Sequence, residues 1–199
     1  MIQDPANYQM ILDTFCTALE DASPVIRAKA AEALGKMGDM AMEPLLIIKS
    51  LKDTAPEVRR SAIQAIGKLK NEASIPHLLV AGKDADNFVR QSVAEALGEI
   101  GSEVAIPALL KLIEDVNCDV RKSAAYALGK IGSDLAIPAL LKLLEHPEPE
   151  IRQVSAIALG KLGNEALIPV LIRLLEDSNA QVRESAVDAL GNVAQYRVA

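Results

Sequence analysis

Residue types that commonly carry out catalysis are scarce in this chain of 199 residues. An enzyme needs a nucleophile, a positioned base or a metal cluster. The two histidines, His77 and His146, are far apart in the sequence, and neither is followed by Glu. The two cysteines, Cys16 and Cys118, are also far apart, which argues against a disulfide framework or a metal site. Each Leu-Gly-Lys lies within a predicted helix rather than in a phosphate-binding loop. We therefore expect no catalytic, cofactor-binding or metal-binding residues.

Charged residues recur instead at a fixed spacing, because an arginine returns at nearly equal intervals along the chain. These arginines are Arg27, Arg59, Arg90, Arg121, Arg152 and Arg183. Six residues before them stand Asp21, Asp53, Asp84, Asp115, His146 and Asp177. An aspartate in a tight turn between helices can accept backbone N–H groups and lie near an arginine of its own or the adjacent unit. We interpret the pairs as a structural ladder, since catalytic groups need not recur in every unit.

The elements that hold these residues follow from the same repeat. A fixed period over nearly the whole length predicts a solenoid, in which each unit buries its apolar face by stacking on its neighbours. Each unit reads as two antiparallel helices, a first helix with Pro near its start and a second helix of about 14 residues that carries the arginine. We therefore predict twelve helices in a single domain, 1–199. Its six units span approximately 4–38, 39–70, 71–101, 102–132, 133–163 and 164–199.

Several residues mark the predicted helix ends. Asp4 and Pro5 open the first helix, over 5–20, as a capping carboxylate followed by a proline in the first turn. Four second helices are followed by glycines that can take positive φ. These are Gly38, Gly101, Gly132 and Gly163. Lys70 replaces the glycine in the second unit, where we expect Asn71 to take the turn.

Composition narrows the class of partner. The net charge of −6 and the pI near 5.0 argue against nucleic-acid binding, because neutralising phosphates requires a basic face. The N-terminal sequence has neither a basic nor an apolar signal region, and no run approaches the roughly 18 apolar residues of a membrane span. Two free thiols suit a reducing cytosol. We expect a cytoplasmic protein with neither nucleic acid nor a membrane as partner.

The repeated motif is Val/Ile-Arg-x-x-Ala-x-x-Ala-Leu-Gly-Lys-Ile/Leu-Gly, followed by Ile-Pro-x-Leu-x-x-Leu-Leu-Glu-Asp. It resembles HEAT-like repeats of the short class found in phycobilin lyase subunits and in many bacterial and archaeal scaffold proteins. The resemblance covers all six units, although the first helix of the first unit lacks the internal proline. It implies an all-α, right-handed α-solenoid, with the first helices on the convex face and the second helices on the concave face. The His-Glu dyads of HEAT-fold deoxyhypusine hydroxylases and the Trp and basic groove of HEAT-like DNA glycosylases are absent.

The concave face implied by this resemblance contains an apolar anomaly. Counted from each arginine, positions 3, 4, 6 and 7 are mainly apolar and should be buried, whereas positions 1, 5 and 9 should point outward. Position 5 carries Tyr126 and Ile157 in adjacent units, and Val154 and Phe88 extend the predicted patch. Around it we expect Lys122 and Gln153 at position 1 and Lys130 and Lys161 at position 9. The patch has the character of a partner-binding site. The alternative is that these side chains cover neighbouring apolar surface.

These features favour a non-catalytic scaffold that binds a protein or peptide partner on the concave face. An alternative is a subunit or relative of a phycobilin lyase, or of the phycobilisome-degradation proteins, acting on a bilin-bearing protein. Such chains tend to carry more aromatic and histidine residues, and this chain is poor in both. A third reading is the sensor segment of a larger protein, or an engineered repeat binder. The sequence leaves the partner and the oligomeric state open.

Overall fold

The computed structural model describes residues 5–37 and 44–195, and all the regular structure in these ranges is helical. The twelve α-helices found there are α1 (Pro5–Ala18), α2 (Pro24–Met37), α3 (Pro44–Lys49), α4 (Pro56–Leu69), α5 (Ile75–Ala81), α6 (Asn87–Ile100), α7 (Ile106–Leu112), α8 (Cys118–Ile131), α9 (Ile137–Leu143), α10 (Pro149–Leu162), α11 (Ile168–Arg173) and α12 (Ala180–Gln195). Odd numbers are the first helices of the repeats and even numbers are the second helices. Five second helices have 14 residues and α12 has 16.

Four of the first helices begin with a short 3₁₀ turn that leads directly into the α-helix. These turns are Glu72–Ser74, Glu103–Ala105, Asp134–Ala136 and Glu165–Leu167. The proline of each repeat follows as one of the first two residues of the α-helix. In the fourth repeat, Pro107 has no N–H to donate, and Ile106 N–H closes the tighter turn on the Glu103 carbonyl. These four first helices therefore start as 3₁₀ and continue as α-helix from the residue before the proline.

The second helices end as their glycines predict, with one correction. Gly101, Gly132 and Gly163 have φ angles of 76°, 71° and 67°, in the left-handed region. In the second repeat it is Lys70 itself, with φ 51°, that takes this conformation. Asn71 is extended, and its side chain accepts the Ala73 N–H at 2.9 Å at the start of the next 3₁₀ turn. The prediction that Asn71 takes the turn is wrong, because its amide caps that turn instead. The predicted Asp4 cap and Gly38 lie outside the described residues.

The chain forms two compact units, Met1–Ile100 and Gly101–Ala199. In the first unit α4 packs between α2 and α6, and in the second unit α10 packs between α8 and α12. Each first helix packs on the second helix of its own repeat, as α7 does on α8. Within each unit the second helices therefore stack side by side. A single domain over 1–199 stays a prediction.

A glycine in the last turn of the second helix lets neighbouring helices approach closely. A Cβ atom placed on Gly160 would lie 2.4 Å from Ala189 Cα, and one placed on Gly67 would lie 2.9 Å from Ala96 Cα. Glycine is a poor helix former, so its place here is explained by the close contact rather than by helix propensity. The contact between α8 and α10 differs. A Cβ atom on Gly129 would lie 2.3 Å from the Lys161 Cβ, so this glycine makes room for a lysine stem.

The core is formed by the faces of the second helices that pack against other helices. In α8, Ala124 and Ala125 are fully buried, and Leu128 is 1% exposed. These are positions 3, 4 and 7 after the arginine, as the sequence predicts. Val187, at position 4 in α12, is 59% exposed, so the prediction that it is buried is wrong. The reason is that α10 covers one side of α12, and within the described ranges no second helix covers the other.

Two glycines at the same repeat position provide a matched test of this packing. We expect Gly160→Ala to lower the free energy of unfolding by about 1–3 kcal/mol, because its methyl group would collide with the backbone of α12. Gly191→Ala meets nothing within 4 Å and should raise it by up to about 1 kcal/mol through helix propensity. Urea denaturation of both variants measures the effect. If Gly160→Ala is as stable as Gly191→Ala, the close approach of α10 and α12 is not as described.

Candidate functional site

The repeated arginine joins two successive interhelical turns, in an arrangement that we call the arginine clamp. Arg59 Nη1 donates to the carbonyl oxygen of Asp53, in the turn of its own repeat, at 2.8 Å. Its Nε and Nη2 donate to both carboxylate oxygens of Asp84, in the turn of the next repeat, at 2.7 and 2.8 Å. The Asp84 carboxylate also accepts the Asp86 N–H at 2.9 Å. The same clamp links Arg27 with Asp53 and Arg152 with Asp177.

The clamp favours the ionised form of both partners. The hydrogen bond from Arg152 holds the pKa of Asp177 below its ordinary value, and that from Arg27 does the same for Asp53. The bond to Asp177 in turn raises the pKa of Arg152. These pairs are mostly shielded from water, with side-chain exposures of 14% for Arg152 and 12% for Asp177. Bidentate pairing of this kind is stronger than a solvent-exposed ion pair and fixes geometry as well.

The clamp is incomplete where His146 replaces the aspartate. His146 keeps two of the aspartate's roles, because its Nδ1 accepts the Glu148 N–H at 3.1 Å and its carbonyl oxygen accepts Arg152 Nη1 at 2.8 Å. It has no carboxylate for the preceding arginine. Arg121 is 9% exposed, and its Nε is buried without a hydrogen-bond partner among the described residues. The junction between α8 and α10 therefore lacks the charged link found between α10 and α12.

In the compact unit Gly101–Ala199, the second helices α8, α10 and α12 enclose a groove of about 620 Å³. Tyr126 on α8 and Asp188 on α12 line its two sides, with Ile157 on α10 between them. These three residues occupy the same repeat position, so the stacking of helices brings them together. Gln153 and Lys161 also line the groove. The structure thus brings together four of the residues that the sequence predicts for the partner-binding face: Tyr126, Ile157, Gln153 and Lys161.

Lys161 and Tyr126 form a contact across the junction between α8 and α10. The Lys161 Nζ lies 4.3 Å from the centroid of the Tyr126 ring, a cation–π geometry. The lysine stem passes over Gly129, which lies one turn after Tyr126 on α8. Tyr126 nonetheless remains 52% exposed. The ring is therefore partly covered by Lys161 and partly open to solvent.

Other predicted residues lie elsewhere. Val154 is 1% exposed, so its predicted place in an exposed patch is wrong. It lies one turn before Ala158 on the same face of α10, which points into the helix stack. Lys122 and Lys130 are exposed on α8 but do not line the groove. Phe88 belongs to the first unit, where it is 51% exposed and Arg60 lies 5.4 Å from its ring centroid. Its membership of the same patch stays a prediction.

The groove also contains residues that are not among those predicted from the sequence. Glu184 and Val187 on α12 line it beside Asp188. Glu184 and Asp188 occupy positions 1 and 5 of the last repeat, which the repeat pattern already assigns to the outward face. The signal is therefore present in the pattern. It does not stand out there, because charged residues on an outward face are ordinary.

Comparisons with known proteins follow the same repeats. A family model for HEAT repeats matches residues 42–117 and 106–191, and a model for a single HEAT repeat matches residues 11–41. The chain belongs to the HEAT-repeat family, and its fold is an all-α solenoid. None of the curated proteins matches it significantly. No helix in the described ranges combines the length and apolar character needed to span a membrane.

Solved structures give the same fold. The complex of CpcE and CpcF of phycocyanin lyase from Nostoc sp. PCC7120 is similar at 26% identity with a TM-score of 0.62, over 92% of this chain and 76% of that chain. An engineered protein is similar at 24% identity with a TM-score of 0.59, over 92% and 96%. A designed armadillo repeat protein in complex with the peptide (KR)4 is similar at 21% identity with a TM-score of 0.58, over 92% and 99%. The last two, at their lower sequence identity, support the fold alone.

The incomplete clamp can be restored by substitution. In His146→Asp, the new carboxylate should accept both the Glu148 N–H and the buried Arg121 Nε. We expect the free energy of unfolding at pH 7 to rise by about 1–2 kcal/mol, the range of a hydrogen bond to a charged group. His146→Asn is the matched control, because its amide oxygen replaces the acceptor without the charge. Equal stability of the Asp and Asn variants in urea denaturation would contradict the role given to Arg121.

Proposed function

We propose that the chain is a non-catalytic scaffold that binds a protein or peptide partner on the exposed face of its second helices. The observation that carries the proposal is the groove of about 620 Å³ over α8, α10 and α12. It contains Tyr126 and Val187, which are 52% and 59% exposed, beside the half-buried Ile157. Apolar side chains grouped within a polar rim are typical of interaction sites, and tyrosine is enriched among the residues that dominate binding energy.

The proposal also agrees with how HEAT repeats present side chains. The stack places equivalent residues of successive second helices side by side, and this builds an extended surface from short units. A segment lying across α8, α10 and α12 would contact Tyr126, Ile157 and Asp188 in turn. The fold alone does not specify a function. The assignment therefore depends on these side chains.

A pull-down tests the binding face. We expect the double variant Tyr126→Ala/Ile157→Ala to lose partners that the wild-type chain retains, because it removes the central apolar contacts of the groove. Leu135→Ala/Ile172→Ala is the matched control. It removes two aliphatic side chains that are 67% and 52% exposed in the same unit but outside the groove. Recovery of the same partners by the wild type and by the groove variant would contradict the proposal.

A second candidate is a role as a subunit or relative of a phycobilin lyase. It is favoured by the similarity to the CpcE and CpcF complex of phycocyanin lyase, at 26% identity. The groove would then face a bilin-bearing protein. Tyr126 and the acidic residues of α12 would contact that partner. The lining residues of the groove, among those that the structure describes, include no histidine or cysteine.

Absorbance spectroscopy distinguishes the two candidates. The chain is mixed with a bilin, with and without an acceptor phycobiliprotein. A spectral shift, or transfer of the bilin to the acceptor, is the outcome expected for the lyase-related role. The absence of both would contradict that role and leave the scaffold proposal standing.

A further inference from the structure

Two carboxylates on α12 make one side of the groove acidic. Glu184 and Asp188 are exposed and lie one turn apart on the same face of the helix. Neither carboxylate forms a hydrogen bond or an ion pair with any residue that the structure describes. Like charges at this spacing repel each other. A cation placed between them would remove that repulsion and bind both groups.

The equivalent position in the first repeat is neutralised within the chain. Glu32, at position 5 of α2, pairs with Lys36 at 2.7 Å and Lys29 at 3.1 Å. Their hydrogen bonds lower the pKa of Glu32 from 4.5 to about 2. In α12 the two positions that carry these lysines hold Asn192 and Ser185 instead. The repeat framework can thus supply intrachain cations to this position, whereas the last repeat has no basic residue at either of those two positions.

The other side of the groove is already occupied by a cation. Lys161 is the one basic side chain that lines the groove in the described part of the chain, and its Nζ lies over the Tyr126 ring. A second cation would be repelled there but attracted at α12. Ile157 lies between the two sides, next to Tyr126, which is 52% exposed. The groove is therefore apolar at its centre and anionic on one side.

We infer that this groove takes a peptide segment in which an aliphatic or aromatic residue is followed or preceded at short distance by Arg or Lys. The apolar side chain contacts Ile157 and Tyr126, and the cation bridges Glu184 and Asp188. The inference rests on the proposed function and adds the chemistry of the partner. Packed helices are about 8–10 Å apart. Since an extended chain advances about 3.3 Å per residue, the apolar and basic residues should be two or three positions apart.

Arginine suits the cation position better than lysine does. Its planar guanidinium has five N–H donors and can donate to two carboxylates at once. Lysine offers a single ammonium group on a flexible stem, and its binding would depend more on charge than on geometry. A preference for Arg over Lys at this position is therefore part of the inference.

Selection from a display library of random ten-residue peptides against the folded chain provides the test. The expected sequences carry an apolar residue two or three positions from Arg or Lys. Their affinity, measured by fluorescence anisotropy at low salt, should fall at least about tenfold in Glu184→Gln/Asp188→Asn. The reason is that the peptide cation no longer has the two carboxylate charges with which it pairs. Glu145→Gln/Glu176→Gln is the control. It makes the same change in net charge at exposed residues outside the groove and should leave the affinity unchanged.

The remaining outcomes distinguish a failure of the basic-peptide inference from a failure of the proposed function. Selected peptides that are acidic or neutral, and that lose affinity in Tyr126→Ala/Ile157→Ala, would overturn the basic-peptide inference and support the proposed function. Peptides whose affinity is the same in both groove variants bind elsewhere, and this result would overturn both. Basic peptides that bind equally well to Glu184→Gln/Asp188→Asn would overturn the inference alone. Unchanged circular dichroism of each variant verifies that it is folded.

Discussion

The geometry of this protein depends on a guanidinium that is held by two turns at once. Arg59 donates to the carbonyl of Asp53 in its own repeat and to the carboxylate of Asp84 in the next. One side chain therefore sets the distance and the orientation between successive repeats. Removing either partner would leave the other charge largely shielded from water and unpaired, which is costly even where an intact pair adds little net stability. The close helix contacts at Gly35, Gly67 and Gly160 form within the spacing that these clamps set.

The regular spacing places residues that share a repeat position next to one another on the surface. Tyr126, Ile157 and Asp188 hold the same position in three successive repeats and line the same groove. None of them belongs to the arginine clamp or to the repeat positions that form the buried core. The outward column is therefore free to vary in chemistry from repeat to repeat. In the second unit it passes from an aromatic to an aliphatic to an acidic residue, and these three side chains are the basis of the binding surface that we propose.

Much of the fold follows from the sequence because its repeat combines local signals. The arginine spacing gives the period, Gly101, Gly132 and Gly163 give the left-handed helix ends, and alanine at fixed positions gives the core. The errors come from features that depend on neighbours. Val154 replaces a serine that four other repeats carry at this position, yet the stack buries it. The contact of Lys161 with Tyr126 depends on room above Gly129, which no pattern within a single helix reveals.

The most direct test of the clamp is a pair of double-mutant cycles. The first combines Arg152→Met with Asp177→Asn, and the second combines Arg121→Met with His146→Asn at the junction that lacks a carboxylate. Urea denaturation gives the coupling free energy of each pair. We expect about 1–2 kcal/mol for Arg152 with Asp177 and less than about 0.5 kcal/mol for Arg121 with His146. Equal coupling at the two junctions would contradict this expectation.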